Sequence, residues 1–169
     1  MEKNLKINLQ YQRKGSVVIN GIPDSIRHND LELICIRLFN KVCLHQISNR
    51  DVMACHRISS KSPSVLIKFL NTKDAEALLN SKSAIDSLDK SEIGIDANDR
   101  LYVDQHLTPY MGKLAYLCRC AKRQKLILNT KTEKGAIKIL VNHDDAFHWF
   151  IVSHVNDLLK WAPNLNTED

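Results

Sequence analysis

Apolar positions recur with two different periods along the first hundred residues, which indicates a chain of mixed α and β structure. Short runs of β-branched residues have the period of two that is typical of strands, and longer stretches space apolar residues three or four positions apart, as on one face of a helix. The predicted elements are a strand at 16–20, a helix capped by Asn29, strands at 51–58 and 64–70, a helix starting at Asn71 or Thr72, a polar loop at 83–100 and a strand at 101–103. This βαββαβ order predicts a ferredoxin-like domain of the RNA-recognition type.

The next stretch begins with a polar hinge at 104–106 and continues with a strong helix start at Thr108 and Pro109. A threonine hydroxyl can accept a hydrogen bond from a free N–H of the first turn, and proline at the first helical position has no N–H to lose. The apolar side of this helix is predicted to consist of Tyr110, Met111, Leu114, Leu117, Cys118 and Ala121. Arg119, Lys122 and Arg123 fall roughly opposite, so one helix has a core face and a cationic face.

The remaining pattern predicts a hairpin and a second helix. Residues 126–130 and 136–141 are typical of two strands around a turn at 131–135. Asp144 then starts a predicted helix that ends at Pro163, with an apolar side made of Phe147, Phe150, Ile151, His154, Val155, Leu158 and Leu159. We therefore predict a small αββα unit after the first domain.

The fold class expected from these elements is α+β, with two small domains. The expected bounds are an N-terminal arm at 1–14, an RNA-recognition-like domain at 15–103, a basic αββα domain at 104–163 and a tail at 164–169. In the arm, Leu5, Ile7, Leu9 and Tyr11 alternate with polar residues at the spacing of a strand.

Composition places the chain among globular proteins, because 44% of its 169 residues are apolar and 25% are charged. No apolar run approaches the ~20 residues of a membrane span, so we expect none. The five cysteines are odd in number and scattered, which favours reduced thiols. We therefore expect an intracellular protein, cytoplasmic or nuclear.

Charge is distributed unevenly, although the net value is only +5. Residues 113–138 contain eight basic residues and one acid, Glu133, whereas residues 74–104 contain eight acids and three basic residues. This asymmetry favours a polyanionic partner for the second half of the chain.

Domains of the RNA-recognition type usually bind bases through aromatic side chains on the exposed face of the two central strands. In this sequence those positions fall on Val18, Ser64 and Leu66, and none is aromatic. Binding is therefore expected to depend on phosphate contacts, which carry little sequence information. The candidate contacts are His56, Arg57, Lys68, Lys113, Arg119, Lys122, Arg123, Lys125, Lys131, Lys134 and Lys138.

Catalysis and metal binding have little support in the sequence. The chain has no glycine-rich phosphate loop, no HExxH motif and no nucleophile with a recognisable base. Cys118 and Cys120 diverge by about 160° on the predicted helix, so they do not form a paired zinc motif. We expect a protein that is not an enzyme, with no catalytic residue, metal ligand or cofactor.

Three motifs in this order and spacing carry a resemblance: VVINGIP, ACHRIS followed by SVLIKF, and LYVDQHLTPYMGKLAYLCRCAK. Together they resemble the few-polyhedra protein family of baculoviruses and its insect relatives, and the first open-reading-frame protein of LINE-type retrotransposons. The resemblance covers roughly residues 13–160 and implies an RNA-recognition-like domain, a small C-terminal domain, and cooperative binding of RNA or single-stranded DNA. By position, Arg57 matches a basic residue at the end of the second strand, and Arg119, Lys122 and Arg123 match the basic face of the C-terminal helix.

The function expected from these observations is non-enzymatic, largely sequence-independent binding of RNA or single-stranded DNA in a basic cleft between the two domains. The protein would then act as an accessory protein of a virus or retroelement, inside the host cell if it is viral. The alternative is a protein-interaction module of a virus or host, in which the cationic helix binds an acidic protein surface. Self-association is left open.

Overall fold

Two antiparallel sheets organise the chain, one of four strands and one of three. The structure is a computed structural model that describes residues 8–60, 62–96 and 100–167. Contacts between Cα atoms divide it into an N-terminal unit, residues 12–106, and a C-terminal unit, residues 107–167 together with 8–11. The predicted α+β class is confirmed.

The N-terminal unit contains the four-stranded sheet, in the order β2–β3–β1–β4, with every neighbouring pair antiparallel. Short 3₁₀ turns at Asn49–Asp51 and Lys90–Ile93 precede β2 and β4. The strands and helices are β1 (Ser16–Asn20), α1 (His28–Val42), β2 (Val52–Arg57), β3 (Val65–Phe69), α2 (Thr72–Asn80), α3 (Lys82–Asp86) and β4 (Tyr102–Gln105).

One face of this sheet forms the core of the N-terminal unit. Val17, Ile19 and Ile67 alternate with half-buried residues along β1 and β3, as the period of two predicts. Against them α1 packs Leu31, Ile34, Cys35, Leu38 and Phe39, and α2 packs Ala75 and Leu78. Truncating a buried Ile or Leu in such a core typically costs about 2–5 kcal/mol, so this alternation specifies the fold strongly.

The start of α1 differs from the prediction. The helix begins at His28 after Arg27, whose guanidinium bonds the Asp30 carboxylate, and no side chain caps the helix. Asn29 is therefore already helical. At the other end Phe39 is fully buried and Val42 only partly.

The stretch predicted as a polar loop at 83–100 is largely structured in its described part. Helix α3 and the turn at Lys90–Ile93 bury Ile85, Ile93 and Ile95 in the core of this unit. Three isolated isoleucines in a polar stretch form no periodic pattern, so only their long-range packing shows that they are core residues. Residues 97–99 lie outside the described part.

The polar hinge predicted at 104–106 is also wrong in its first two residues. Asp104 and Gln105 are the last residues of β4 and pair with Val18 and Val17 of β1. The Asp104 carboxylate accepts a hydrogen bond from the Asn20 side chain on the solvent side of the sheet. A polar residue on the exposed face of a half-buried sheet does not interrupt a strand.

The C-terminal unit packs helices on one face of the three-stranded sheet. Its elements are α4 (Pro109–Arg123), β5 (Asn129–Glu133), β6 (Ala136–His143), β7 (Ala146–Val152) and α5 (Val155–Leu159). The predicted start of α4 is confirmed, because the Thr108 hydroxyl accepts a hydrogen bond from the Met111 N–H at 3.3 Å and Pro109 is the first helical residue. The core contains Leu114, Leu117, Cys118, Ala121, Ile127, Ile137, Ile139, Val141, Val152, Leu158 and Ala162.

The helix predicted from Asp144 to Pro163 is wrong, and so is the αββα order. Asp144 and Asp145 both have positive φ, 51° and 60°, and connect β6 to β7 as a two-residue hairpin turn. Lys134 and Gly135, with φ of 51° and 78°, connect β5 to β6 in the same way. This conformation matches the twist of paired strands, so the unit is αβββα.

The N-terminal arm forms no strand in its described part. Residues 8–11 are helical, whereas Leu5 and Ile7 lie outside the described residues. The buried Gln10 accepts a hydrogen bond from the Thr108 N–H, at 2.9 Å from its side-chain oxygen. The Thr108 N–H precedes the first turn of α4, so this short helical segment contributes directly to the C-terminal unit.

Candidate nucleic-acid interface

Arg57 stabilises the loop between β1 and α1. Its guanidinium donates hydrogen bonds to the carbonyl oxygens of Ile22, Pro23 and Ile26 and lies 3.6 Å from the Asp24 carboxylate. Its side chain is only 16% exposed. Four of its contacts are within the protein, so Arg57 has little capacity to bind a phosphate without releasing this loop.

His56 and Lys68 lie on the other face of the same sheet. His56 pairs with Leu66, which in turn pairs with Val18, and Lys68 pairs with Ala54. The His56 Nδ1 lies 2.9 Å from the carbonyl oxygen of Arg57. The structure therefore separates His56 and Lys68 from Arg57, as the alternation of side chains along a strand requires.

The exposed face of α4 presents three cations together: Arg119, Lys122 and Arg123. They lie within an arc of about 100° on the helix. We call these three residues, with Lys125 just beyond the helix, the α4 basic face. Lys113 is exposed too, but it projects from a different side of the helix near its start.

Contacts within the unit orient two of these cations. The Arg123 Nη2 lies 3.1 Å from the Cys120 sulfur, and its guanidinium lies 5.9 Å from the centre of the Tyr116 ring. The contact with Cys120, and then that with Tyr116, raises the pKa of Arg123. The Lys122 Nζ donates to the Asn129 side-chain oxygen at 2.7 Å. None of these partners is a carboxylate, so no negative charge offsets either cation in these contacts.

Carboxylates are absent from the sequence around this face. Between Gln105 and Thr132 the chain has no Asp or Glu. A cluster of exposed cations attracts anions over a distance of about 8–10 Å at ordinary salt concentrations. The α4 basic face is therefore suited to a polyanion.

Lys131 and Lys138 lie on the outer face of the three-stranded sheet. They are cross-strand partners on β5 and β6, and both contact Glu133, with the Lys138 Nζ 2.7 Å and the Lys131 Nζ 3.4 Å from its carboxylate. The bond from Lys138, followed by that from Lys131, lowers the pKa of Glu133. Lys134 is exposed in the turn between the two strands.

Apolar side chains accompany these lysines on the same face. Phe147, Trp149 and Ile151 of β7 are 71%, 41% and 62% exposed. Trp149 pairs with Leu140, Ile151 pairs with Lys138, and the Lys131 ammonium lies 4.7 Å from the centre of the Trp149 ring. We call Lys131, Lys138, Phe147, Trp149 and Ile151 the outer sheet face.

The outer sheet face is not predicted from the sequence, because the pattern of residues 144–163 predicts a helix. The sequence Ala-Phe-His-Trp-Phe-Ile-Val of β7 contains a signal that could have revealed it. Phe147, Trp149 and Ile151 stand at a period of two, and aromatic and β-branched residues favour strands.

The basic residues of the C-terminal unit thus lie on two sides of a two-layer structure. Helix α4 packs its buried residues against Ile137, Ile139 and Val141 on the inner face of the sheet. The α4 basic face points away from this core on the helix side, whereas Lys131 and Lys138 lie on the sheet side. The α4 basic face and the two sheet lysines therefore form two separate surfaces of this unit.

Buried thiols in both units are poor nucleophiles. Burial raises the pKa of Cys118 to about 11. The hydrogen bond that Cys35 shares with Cys55, whose sulfur lies 3.7 Å away, and burial raise the pKa of Cys35. Within the described ranges, no group of three or more His, Cys, Asp or Glu side chains is placed to hold a metal ion.

Comparison with known proteins does not assign this chain to a group. No protein-family model matches it, and a search of curated proteins found no match. The resemblance drawn from the three motifs stays a prediction. Among the described residues, no helix has the length and apolar character needed to cross a membrane.

Proposed function

We propose that this protein binds RNA or single-stranded DNA without catalysis and with little sequence preference, and that the α4 basic face makes phosphate contacts. The observation that carries the proposal is the grouping of Arg119, Lys122 and Arg123 on one exposed helix face, without an acid in the surrounding sequence. Each cation that contacts a phosphate releases counterions, and this release drives association regardless of base sequence.

The N-terminal unit supports the same proposal through its topology. The antiparallel order β2–β3–β1–β4, with α1 after β1 and α2 after β3, favours the finer assignment to a ferredoxin-like, RNA-recognition-like domain. Val18, Ser64 and Leu66 occupy the usual stacking positions, and none is aromatic. This unit therefore supplies at most weak base contacts in the proposed complex.

The proposal includes a role as an accessory protein of a virus or retroelement inside a cell. The role rests on the three motifs named above and on the composition of the chain. The intracellular setting is supported by the cysteines, all five of which are free thiols.

Salt dependence of binding to a homopolymer RNA tests the proposal. If Arg119, Lys122 and Arg123 each contact one phosphate, their joint replacement by Ala should reduce the slope of log affinity against log salt by about 2. The fold should persist, because all three side chains point away from the core. A matched control is the triple Ala variant of Arg50, Lys73 and Lys82, three exposed cations of the N-terminal unit. An unchanged slope in the first variant would place the phosphate contacts elsewhere.

A second candidate function is binding of the same helix to an acidic protein surface. Tyr116, which is exposed beside Arg123, favours it, because Tyr and Arg are enriched at protein interfaces. The two candidates differ in the same titration. No measurable affinity for homopolymer RNA at low salt would favour the protein partner.

A further inference from the structure

The outer sheet face has the composition of a stacking surface rather than of an ordinary solvated sheet. Phe147, Trp149 and Ile151 expose apolar area side by side along β7, and two of them are aromatic rings. A sheet that packs on one side usually turns polar residues to the solvent on the other side. On this sheet β7 turns apolar residues to both sides, since Phe150 and Val152 face the core. The exposed rings thus have no role in packing the core.

The charge on the outer sheet face indicates which kind of ligand binds there. Lys131 and Lys138 lie in the same cross-strand row as Ile151, next to Trp149, and Glu133 compensates only one of the two charges. Lys134 adds a further cation in the adjoining turn. Two copies of this chain placed face to face would bring these lysines together and repel each other, whereas a polyanion with flat apolar parts complements both the charge and the rings.

We propose that bases of a single-stranded nucleic acid stack on Phe147 and Trp149, while Lys131 and Lys138 contact the adjoining phosphates. This inference takes its ligand class from the proposed function and assigns to that ligand a second surface, on the opposite layer of the unit from the α4 basic face. Base–aromatic stacking is tolerant of sequence, because every base has a flat π face.

The position of Lys131 suits this arrangement. Its ammonium lies over the Trp149 ring in the free protein, 4.7 Å from the ring centre. Such a contact is weak at an exposed site, so a phosphate can draw the ammonium aside while a base takes its place on the ring. The lysine thus shields the ring from water until the ligand binds.

The distance between alternate side chains of β7 favours single-stranded nucleic acid over a duplex. Side chains two residues apart on a strand are separated by about 6.8 Å, twice the ~3.4 Å rise per nucleotide of a duplex strand. Two neighbouring bases can reach Phe147 and Trp149 only if the backbone stretches and the bases unstack. A single strand can do this at low cost, and a duplex cannot.

The test replaces both rings by Leu, which keeps apolar bulk but removes the flat surface. Binding of the full chain to a short single-stranded oligonucleotide of mixed sequence should weaken by about 5- to 150-fold for each stacked base that is lost. The slope against salt should stay unchanged, because no phosphate contact is removed. The variant Trp149→Phe should retain most of the affinity, and Tyr102→Leu is a matched control, since Tyr102 is an exposed aromatic on the other sheet.

A duplex of the same sequence provides the second arm. It should bind more weakly than the single strand, and its affinity should not respond to loss of the two rings. If the wild-type chain binds neither, the proposed function fails. If it binds the single strand and the double Leu variant binds equally well, only the stacking inference is overturned.

Sedimentation of the free proteins tests the competing use of this face. If the double Leu variant changes the oligomeric state of the chain and leaves its oligonucleotide affinity intact, the outer sheet face is a self-association surface and the inference is wrong. A variant that keeps the oligomeric state of the wild type, is folded by circular dichroism and is weakened in binding supports it.

Discussion

Individual basic residues differ in how much of their charge and hydrogen-bonding capacity is free to bind a ligand. Arg57 is used within its own unit by three carbonyl oxygens, whereas Arg119 projects from the middle of an exposed helix face. Lys131 and Lys138 are intermediate, because they share one carboxylate, that of Glu133. The number of cations in a stretch of sequence therefore overstates the charge that a phosphate meets.

Glu133→Gln should accordingly raise the affinity for single-stranded nucleic acid, by about two- to fivefold at low salt and neutral pH. Its lysine partners keep the pKa of Glu133 below its usual value, so the carboxylate is charged at neutral pH and competes with phosphate. As pH falls through that lowered pKa, the wild type loses this charge and its affinity should converge on that of the variant. Fluorescence anisotropy over pH and salt measures both effects.

The matched control is Glu92→Gln. Glu92 forms a similar exposed ion pair with Lys41 in the N-terminal unit, which carries neither of the two proposed surfaces. Equal gains from both variants would mean that only the net charge of the chain matters, and that Glu133 has no special position.

At the scale of elements, the two hairpin turns determine the architecture of the C-terminal unit. Lys134–Gly135 and Asp144–Asp145 each turn the chain in two residues with positive φ. Left-handed backbone costs a non-glycine residue roughly 1–2 kcal/mol, although Asp tolerates it better than most. Asp144 and Asp145 therefore adopt this turn less readily than Asn-Gly would.

Replacing Asp144 and Asp145 by Asn and Gly should stabilise the C-terminal unit by about 1 kcal/mol, because Asn-Gly is the preferred pair for this turn. Urea unfolding, followed by tryptophan fluorescence, measures the change. Gly135→Ala is the opposite case: its φ is 78°, and a Cβ there would lie 3.3 Å from the Gln10 Cγ. We expect that substitution to destabilise. If the Asn-Gly variant lost stability instead, the hairpin between β6 and β7 would be wrong.

At the scale of the whole molecule, the C-terminal unit is built from two separate stretches of the chain. Residues 8–11 precede the N-terminal unit in sequence but pack with the C-terminal unit. Gln10 makes the connection by accepting the Thr108 N–H in a buried position. The expected nucleic-acid cleft between two domains stays a prediction, which small-angle scattering with and without an oligonucleotide would test.

Gln10→Ala should destabilise the C-terminal unit by about 1–3 kcal/mol, since it leaves a buried N–H without its acceptor. Hydrogen exchange should show faster opening in the first turn of α4 and little change in β1 or β3. Gln12→Ala, at an exposed position nearby, is the control. Equal protection of α4 in both variants would show that the segment is dispensable.

The sequence alone predicted the elements whose pattern is local. Strands β1 and β3 alternate at a period of two, α2 has its cap at Asn71, and α4 combines Thr108, Pro109 and an amphipathic arc. Each of these signals arises within a few residues, where side-chain direction and backbone preference act together. The two-sided character of α4, and with it the α4 basic face, could therefore be predicted.

Only the tertiary structure decided the elements whose identity depends on distant partners. Aspartate suits both a helix cap and a left-handed turn, and pairing with β6 selects the turn at Asp144. The same pairing turns Phe147 outwards, where the predicted helix would have buried it, and turns Trp149 to the same exposed face. In the N-terminal unit, pairing of β2 with β3 places Arg57 against the loop carbonyls. Strand pairing and burial are long-range effects, so the apolar content of 144–163 was apparent in the sequence but its exposure was not.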